Sequence, residues 1–174
     1  GKAFLIAEAQ GGGRDLVCTD SNERRLPRLR ENLRRLGIEG ATVTCHDWAQ
    51  PAPAEWHERF DAILLDVPCS NTGVFRRRVD VRWRISPADI EGLVKLQRQL
   101  LENALPCLKA GGRLVYSTCS IEADENEGQV ESFRAAHPEL RLVEIRQALP
   151  HRDGTDGAFA ALLLKEGLAE VGEN

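Results

Sequence analysis

The chain has 174 residues, a formal net charge of −4 and ordinary shares of hydrophobic and charged residues, 42% and 29%. No apolar run approaches the roughly 18 residues that a membrane-spanning helix needs, and the sequence shows no signal-peptide pattern, so we expect no membrane partner. The slightly acidic balance argues against a wholly basic nucleic-acid binder, although it leaves room for local basic patches.

From its start, the chain alternates between helical and strand patterns. Apolar residues at helical spacing predict a helix that Gly37 ends, and short apolar runs predict strands. The predicted elements up to residue 66 are a helix over 3–9, a strand over 16–19 ending in Asp20, a helix over 23–36, a strand over 41–45 and a strand over 60–65 ending at Asp66.

An irregular, arginine-rich stretch over 67–85 precedes a long helix that begins at Ser86, runs to about Leu108 and is ended by Gly111 and Gly112. The later predicted elements are a strand over 113–117, a helix over 123–136 and strands over 140–145 and 158–164. This alternation indicates an α/β fold with a mostly parallel sheet. The last two strands are joined without a predicted helix, so we expect them to be antiparallel. We expect one domain over 1–166 and a frayed tail over 167–174.

Aspartates follow three successive predicted strands, at Asp20, Asp47 and Asp66. In open α/β sheets, ligands bind at the carboxyl ends of strands, and an acidic residue there commonly accepts hydrogen bonds from ribose hydroxyls. One such aspartate is equally well explained as a turn former or a helix cap. Three at successive strand ends favour a nucleoside ligand.

Two cysteine-containing segments follow neighbouring strands, DVPCS at 66–70 and STCS at 117–120. Because the two strands are predicted to be parallel, a carboxylate and two thiols should share one crevice. This set suits methylation of pyrimidine C5, since a thiolate that adds to C6 makes C5 nucleophilic, while a carboxyl group can protonate N3. A second cysteine can then help to release the first thiol.

The other three cysteines have a simpler explanation. A cysteine within a strand or helix is often a small core residue, and this interpretation fits Cys18, Cys45 and Cys107. The count of five cysteines is odd, and no two of them lie two to four residues apart. We therefore expect no metal site and a reduced, cytoplasmic protein.

The paired cysteine motifs resemble those of the Sun-type, or Fmu-type, RNA cytosine-C5 methyltransferases, whose bacterial members modify 16S ribosomal RNA. The similarity covers essentially the whole chain, and the motifs at 66–73 and 117–120 are highly specific. Residues 103–116 and 155–159 also fit, although the family more often has two aromatic residues after Gly157. The resemblance implies a Rossmann-like class I methyltransferase fold, S-adenosylmethionine as cofactor and RNA as partner.

The resemblance also implies roles for particular residues. Cys119 would be the nucleophile that forms an adduct with C6, and Cys69 the product-release cysteine. Asp66 would lie between cofactor and target base, Asp20 at the cofactor ribose and Asp47 beside the adenine. The implied cofactor-binding set is Gly1, Lys2, Asp20, Asp47 and Asp66. DNA cytosine methyltransferases use the Pro-Cys position as nucleophile, so Cys69 is the rival for that role.

One departure concerns the start of the chain. The family's glycine-rich cofactor loop normally reads Ala-Pro-Gly-Gly-Lys, and only its end matches Gly1 and Lys2. The preceding strand, which is central in the family's sheet, is missing, and the sequence contains no methionine, so we expect a piece of a longer chain. Such a piece should be impaired in stability or cofactor binding unless upstream residues or another chain supply the strand. A continuous sheet made by these residues alone would refute this expectation, and the oligomeric state is left open.

Five arginines cluster within ten residues after the first cysteine motif: Arg76, Arg77, Arg78, Arg82 and Arg84. Arginine binds phosphate through its planar fork, and the position beside the proposed crevice favours RNA contact over a merely solvated loop. Trp83 in the same stretch either stacks on a base or packs within the protein. The acidic residues over 122–127 are expected to favour the start of a helix through its dipole.

Three functions remain open at this level. The favoured one is an RNA cytosine-C5 methyltransferase acting on 16S ribosomal RNA. The second is a non-catalytic RNA-binding remnant of the same fold, and the third is a DNA cytosine methyltransferase that uses Cys69.

Overall fold

The computed structural model describes residues 1–167. They fall into two compact units, the first over Gly1–Trp48 and the second beginning at Ala49. The tail predicted over 167–174 lies outside the described residues except for Gly167.

The first unit combines two helices with a small parallel sheet. Its elements are α1 (Lys2–Ala9), β1 (Val17–Asp20), α2 (Leu26–Arg35) and β2 (Thr42–Cys45). The two strands are parallel, with Asp20 opposite Cys45. Ala7 of α1, Leu33 of α2 and Ile38 form the core of this unit, because the apolar stripe that predicted α2 faces α1.

The second unit contains a four-stranded sheet with helices. Its elements are β3 (Phe60–Asp66), α3 (Val81–Arg84), α4 (Pro87–Ala104), β4 (Leu108–Thr118), α5 (Glu127–Ala136), β5 (Leu140–Ala148), α6 (Pro150–Asp153) and β6 (Ala158–Lys165). The strand order is β3-β4-β6-β5, with β3 parallel to β4 and β6 antiparallel to both β4 and β5. Only β6 runs against the other strands of this sheet, so the predicted α/β class and the antiparallel C-terminal strand are confirmed.

The strands of residues 1–167 form two sheets, β1-β2 and β3-β4-β6-β5. The described residues therefore do not form one continuous sheet. Such a sheet would have refuted the expectation that a strand is missing. Asp20 is the last residue of β1, and Asp66 is the last residue of β3. Both β1 and β3 are edge strands of their sheets.

The long helix α4 begins as predicted. The Ser86 hydroxyl accepts a hydrogen bond from the Asp89 N–H at 3.3 Å, and the Asp89 carboxylate accepts one from the Ser86 N–H at 2.9 Å. This capping box, with Pro87 in the first turn, fixes the start of the helix. The buried face of α4 includes Leu101 and the polar Gln97. None of the helices over residues 1–167 has the length and apolar character that a bilayer span requires.

The end of α4 differs from the prediction. The helix stops at Ala104, and a 3₁₀ turn over Leu105–Cys107 follows, because Pro106 has no N–H to continue the helix. The glycines expected to end the helix instead lie inside β4, where the pairing with β3 shifts register. Gly111 has a φ of +76° there, so a glycine is needed for the irregular strand and not for a helix cap.

Two single-turn helices lie where none was predicted. α3 falls in the arginine-rich stretch, and α6 falls in the connection between β5 and β6. Pro150 begins α6, and Gly154, with a φ of +67°, ends it. A single turn contains no repeat of the apolar pattern, so periodicity does not reveal such helices.

Candidate active site

The two cysteine motifs leave the sheet of the second unit at the same edge. Asp66, the last residue of β3, lies opposite Ser117 of β4, and the N–H of Val67 donates to the Ser117 carbonyl at 3.1 Å. We call residues 67–75 the Cys69 loop and residues 118–122 the Cys119 turn. Because β3 and β4 are parallel and in register here, both segments begin at their carboxyl ends, where α/β sheets bind ligands. The Asp66 residue itself is exposed.

The structure brings the two sulfur atoms into contact. Cys69 Sγ and Cys119 Sγ are 3.2 Å apart, and the backbone N–H of Cys119 donates to Cys69 Sγ at 3.3 Å. The Cys119 thiol donates to Asn71 Oδ1 at 3.0 Å. The two motifs that sequence analysis paired therefore form one compact thiol site.

The two thiols have different surroundings. Cys69 is buried, with 8% of its surface exposed, whereas Cys119 is only partly buried. The hydrogen bond with Cys119 and then burial raise the pKa of the Cys69 thiol far above its usual range. Cys69 thus stays protonated at neutral pH, and a protonated thiol is a poor nucleophile. Cys119 is the more accessible of the two sulfurs.

A buried polar network fixes the Cys69 loop. The Glu125 side chain, which is fully buried, accepts hydrogen bonds from the Ser70 N–H at 2.9 Å and from the Ser70 hydroxyl at 2.5 Å. Gln97 Nε2 donates to Glu125 Oε1 and to the Pro68 carbonyl, both at 2.9 Å. The residues on either side of Cys69 are therefore anchored to α4 and to the segment that precedes α5.

The same network continues into the Cys119 turn. Ser120 Oγ lies 3.0 Å from Ser70 Oγ and 3.2 Å from Thr72 Oγ1. Asn126 Nδ2 donates to the Ser120 carbonyl at 3.0 Å, and Asn126 Oδ1 accepts from the Thr118 hydroxyl at 2.7 Å. Both cysteine segments are thus held by one set of buried hydrogen bonds, which sets the separation of their sulfurs.

Gly73 fits between two backbone segments of the site. Its N–H donates to the Cys119 carbonyl at 3.0 Å, and its carbonyl accepts from the Gly157 N–H at 2.7 Å. A Cβ atom at Gly73 would lie 2.6 Å from the Gly157 oxygen and 2.7 Å from the Cys119 oxygen. Any side chain here would push the Cys69 loop away from the Cys119 turn, which explains the glycine at the end of the first motif.

Four side chains of this site were not predicted from the sequence: Asn71, Gln97, Glu125 and Asn126. Glu125 lies in the first turn of a 3₁₀ helix before α5, as its expected place at a helix start requires, but its side chain is buried against Ser70, 55 positions away in sequence. Gln97 did carry a signal, since it is a polar residue on the buried face of α4. Nothing in the local pattern marked Asn71 or Glu125.

The first unit contains a cavity of about 520 Å³ beside the carboxyl end of β1. Its lining residues are Gly1, Phe4, Asp20, Arg25, Arg28, Leu29 and Asn32. Asp20 Oδ1 accepts from the Asn22 N–H at 2.8 Å, and Oδ2 lies 3.6 Å from Arg25. The Asp20 side chain is 29% exposed, so it keeps acceptor capacity for a ligand. A carboxylate beside the apolar side chains of Phe4 and Leu29 fits a nucleoside with ribose hydroxyls.

The other predicted cofactor residues of the first unit lie at the ends of its elements. Lys2 is the first residue of α1, and Asp47 is exposed two residues beyond β2. The structure therefore brings Gly1 and Asp20 to one cavity and places Lys2 and Asp47 on the surface.

All five arginines of the predicted RNA-binding segment are exposed. Arg77 pairs with Asp156 at 2.8 Å, while Arg84 pairs with Asp80 at 3.7 Å. Trp83 is 81% exposed, so it does not pack against the residues that the structure describes. The Arg82 guanidinium lies 5.8 Å from the centre of the Trp83 ring. The segment presents cations and an aromatic face to solvent.

The chain is similar to a known protein family and to curated proteins. Residues 1–164 match the family model described as 16S rRNA methyltransferase RsmB/F. Ribosomal RNA small subunit methyltransferase B of Yersinia pseudotuberculosis serotype O:1b (strain IP 31758) is 41% identical over 173 residues, covering 95% of this chain and 40% of the relative. The chain thus spans about two fifths of the length of the curated relatives it matches.

Two solved structures share the fold. The protein PH0851 superposes with a TM-score of 0.88 at 34% identity, covering 96% of this chain and 40% of that one. NSun6 from Pyrococcus horikoshii, solved with SFG, superposes with a TM-score of 0.84 at 29% identity, covering 97% and 46%. The Rossmann-like methyltransferase fold implied by the motifs is confirmed. Because the family model matches nearly the whole chain, the chain belongs to the 16S rRNA methyltransferase RsmB/F family.

Proposed function

We propose that this chain carries the catalytic site of an S-adenosylmethionine-dependent methyltransferase that modifies C5 of a cytosine in RNA, with 16S ribosomal RNA as substrate. The observation that supports this proposal most is the contact between Cys69 and Cys119, with sulfurs 3.2 Å apart beyond two parallel strands. A paired nucleophile and proton donor is what addition to C6 and later elimination require.

In the proposed reaction, Cys119 Sγ forms a bond to C6 of the cytosine. As the bond forms, the thiol proton of Cys119 passes to Asp66, which delivers it to N3. The electron pair of the C5–C6 double bond forms a C4–C5 double bond, the C4–N3 double-bond pair moves onto N3, and C5 becomes nucleophilic. After C5 has accepted the methyl group, the N3 proton returns to Asp66. The C5 proton then leaves to water, and its electron pair re-forms the C5–C6 double bond as the C6–Sγ bond breaks. Cys69 then donates its hydrogen to the departing Cys119 sulfur, which is its hydrogen-bond neighbour, and the proton held by Asp66 restores the Cys69 thiol through solvent.

The cofactor is proposed to bind through Asp20 and Gly1 at the cavity of the first unit, with Lys2 and Asp47 as further contacts of that unit. The cofactor contact that the resemblance implies for Asp66 belongs to the second unit and stays a prediction. S-adenosylmethionine supplies an electrophilic methyl group to a carbon nucleophile. The carboxylate of Asp20 can accept hydrogen bonds from the ribose hydroxyls. Its position beside apolar residues of the cavity supports this role.

The arginine segment is proposed to bind the RNA backbone. Arg76, Arg77, Arg78, Arg82 and Arg84 follow the Cys69 loop directly and are all exposed. Arginine forks contact phosphates, and an exposed indole such as Trp83 stacks on an unpaired base. This role explains why a large aromatic side chain is left in solvent.

The double variant Arg78→Gln, Arg82→Gln is expected to bind RNA more weakly, and its binding should depend less on salt. Each lost phosphate contact lowers the slope of log K against log[salt] by about 0.7 to 0.9. The measurement is a filter-binding titration at several salt concentrations. The matched control is Arg113→Gln, an exposed arginine in the middle of β4, whose slope should equal that of the unaltered chain. Equal slopes for the double variant and the control would contradict the RNA-binding role.

The strand that the described sheets lack is proposed to come from residues outside this chain or from another chain. β1 and β3 are edge strands of the described sheets and offer backbone groups for pairing. A cytoplasmic location follows from the proposed substrate. Activity is therefore best assayed with the complete gene product that contains these residues.

The function is tested by incubating the complete gene product with S-adenosylmethionine and either 16S ribosomal RNA or duplex DNA. Bisulfite sequencing should find a cytosine in the RNA that resists conversion, as 5-methylcytosine does. A methyl group found on an exocyclic nitrogen, or transfer to the DNA alone, would contradict the proposal.

A further inference from the structure

Asn71 connects the two cysteines of the site, although the reaction described above gives it no role. Its Nδ2 donates to the Cys69 carbonyl at 2.8 Å, and its Oδ1 accepts from the Cys119 thiol at 3.0 Å. The side chain therefore contacts the sulfur that is proposed to attack the base.

The orientation of the Asn71 carboxamide is determined by its partners. Only the NH₂ group can donate to the Cys69 carbonyl, so the oxygen must face Cys119. An oxygen in this position accepts the S–H hydrogen and would repel a thiolate. Hydrogen bonding to the neutral form of a group disfavours its ionisation.

The backbone of Asn71 makes this contact possible. Its φ of +61° and ψ of +23° are left-handed, a conformation that asparagine tolerates better than most residues with a side chain. Its carbonyl accepts from the Val74 N–H at 3.1 Å, which closes the following turn. The left-handed turn aims the carboxamide at the two cysteines.

We propose that Asn71 is a positioning residue that holds Cys119 as an oriented, neutral thiol before the RNA base binds. This inference rests on the proposed role of Cys119 as the attacking sulfur. Asn71 would thereby protect the site from unproductive reaction and set the pH range in which Cys119 becomes reactive.

Two substitutions should move the reactivity of Cys119 in opposite directions. Asn71→Asp introduces a negative charge beside the sulfur, which disfavours the thiolate. Asn71→Gly keeps the left-handed backbone but removes the acceptor, which favours the thiolate. The titratable or charged groups on the segments around the Cys119 turn are Asp66, Cys69, Arg77, Glu122, Glu125 and Asp156. Both variants leave all of these in place, so a difference between the variants reports on Asn71.

The experiment measures the rate of iodoacetamide alkylation of Cys119 against pH, with peptide mass mapping to separate it from the other cysteines. Relative to the unaltered chain, the midpoint should rise by about one pH unit in Asn71→Asp and fall by about half to one unit in Asn71→Gly. Cys45, which is exposed and belongs to the first unit, is the internal reference and should keep its midpoint.

Opposite shifts in the two variants, with Cys45 unchanged, would support the proposal, and any other pattern overturns it. A purely structural role would move both midpoints in one direction or neither. The assay needs no RNA and no cofactor, so its outcome is independent of whether methyl transfer to RNA is detected. A thermal melt of each variant confirms that the chain remains folded during alkylation.

Discussion

Replacing Cys119 with alanine is expected to reduce methyl transfer by at least about 10³-fold, because no adduct at C6 can form without the attacking sulfur. Replacing Cys69 with alanine should also lower turnover, but for a different reason. Attack by Cys119 would still occur, while release of the methylated base would be slow, so the RNA–protein adduct should accumulate.

The adduct distinguishes the two roles directly. RNA carrying 5-fluorocytosine blocks loss of the C5 substituent, so a competent nucleophile is trapped as a complex that survives denaturing gel electrophoresis. The Cys69→Ala protein should trap this RNA and also retain ordinary RNA, whereas Cys119→Ala should trap neither. Cys45→Ala, which alters an exposed cysteine of the first unit, is the matched control and should behave like the unaltered protein.

The reverse pattern, with trapping by Cys119→Ala and none by Cys69→Ala, would favour the alternative of a DNA cytosine methyltransferase in which Cys69 attacks. The surroundings of Cys69 argue against this outcome, since Cys69 is buried whereas Cys119 is partly exposed and so more accessible to a base. Unchanged transfer in both variants would exclude covalent catalysis by either cysteine. Absence of transfer in the unaltered complete gene product, despite RNA binding, would favour the non-catalytic remnant.

The elements that could be predicted from sequence are those whose information is local. The apolar spacing of α2 and the Ser86 capping box of α4 fix helix starts within a few residues. The Cys69 and Cys119 motifs each follow a buried strand, and parallel pairing of β3 and β4 was enough to bring them to one edge. Their proximity therefore follows from topology and not from any contact within either motif.

The parts that were missed depend on contacts between distant segments. Gly111 reads as a helix stop because Gly-Gly commonly follows helices, yet its role in β4 arises from pairing with β3. The side chain of Asn71 is 48 positions from Cys119 in sequence, so no local rule relates them. Buried polar networks of this kind become visible only when the fold has brought their members together.

Replacing Glu125 with alanine should destabilise the chain by about 3–5 kcal/mol. The Ser70 N–H, the Ser70 hydroxyl and one Gln97 N–H would lose their acceptor in an interior that excludes water, and a cavity would add to the cost. For a domain of this size the melting temperature should fall on the order of 10 °C. Circular dichroism during heating measures the change.

The conservative variant Glu125→Gln separates the hydrogen bonds from the volume of the side chain. Its carbonyl oxygen can still accept from Ser70 N–H and Gln97, while its NH₂ group faces the Ser70 hydroxyl, which can turn its own hydrogen toward Ser120. We therefore expect a smaller loss, about 1–2 kcal/mol. Glu131→Ala, on the exposed face of α5, should change stability by less than about 0.5 kcal/mol. If Glu125→Ala melted at the same temperature as the Glu131→Ala control, the network would contribute nothing to the stability of the fold. The close approach of the two sulfurs would then have to be set by the strand pairing and Gly73 alone.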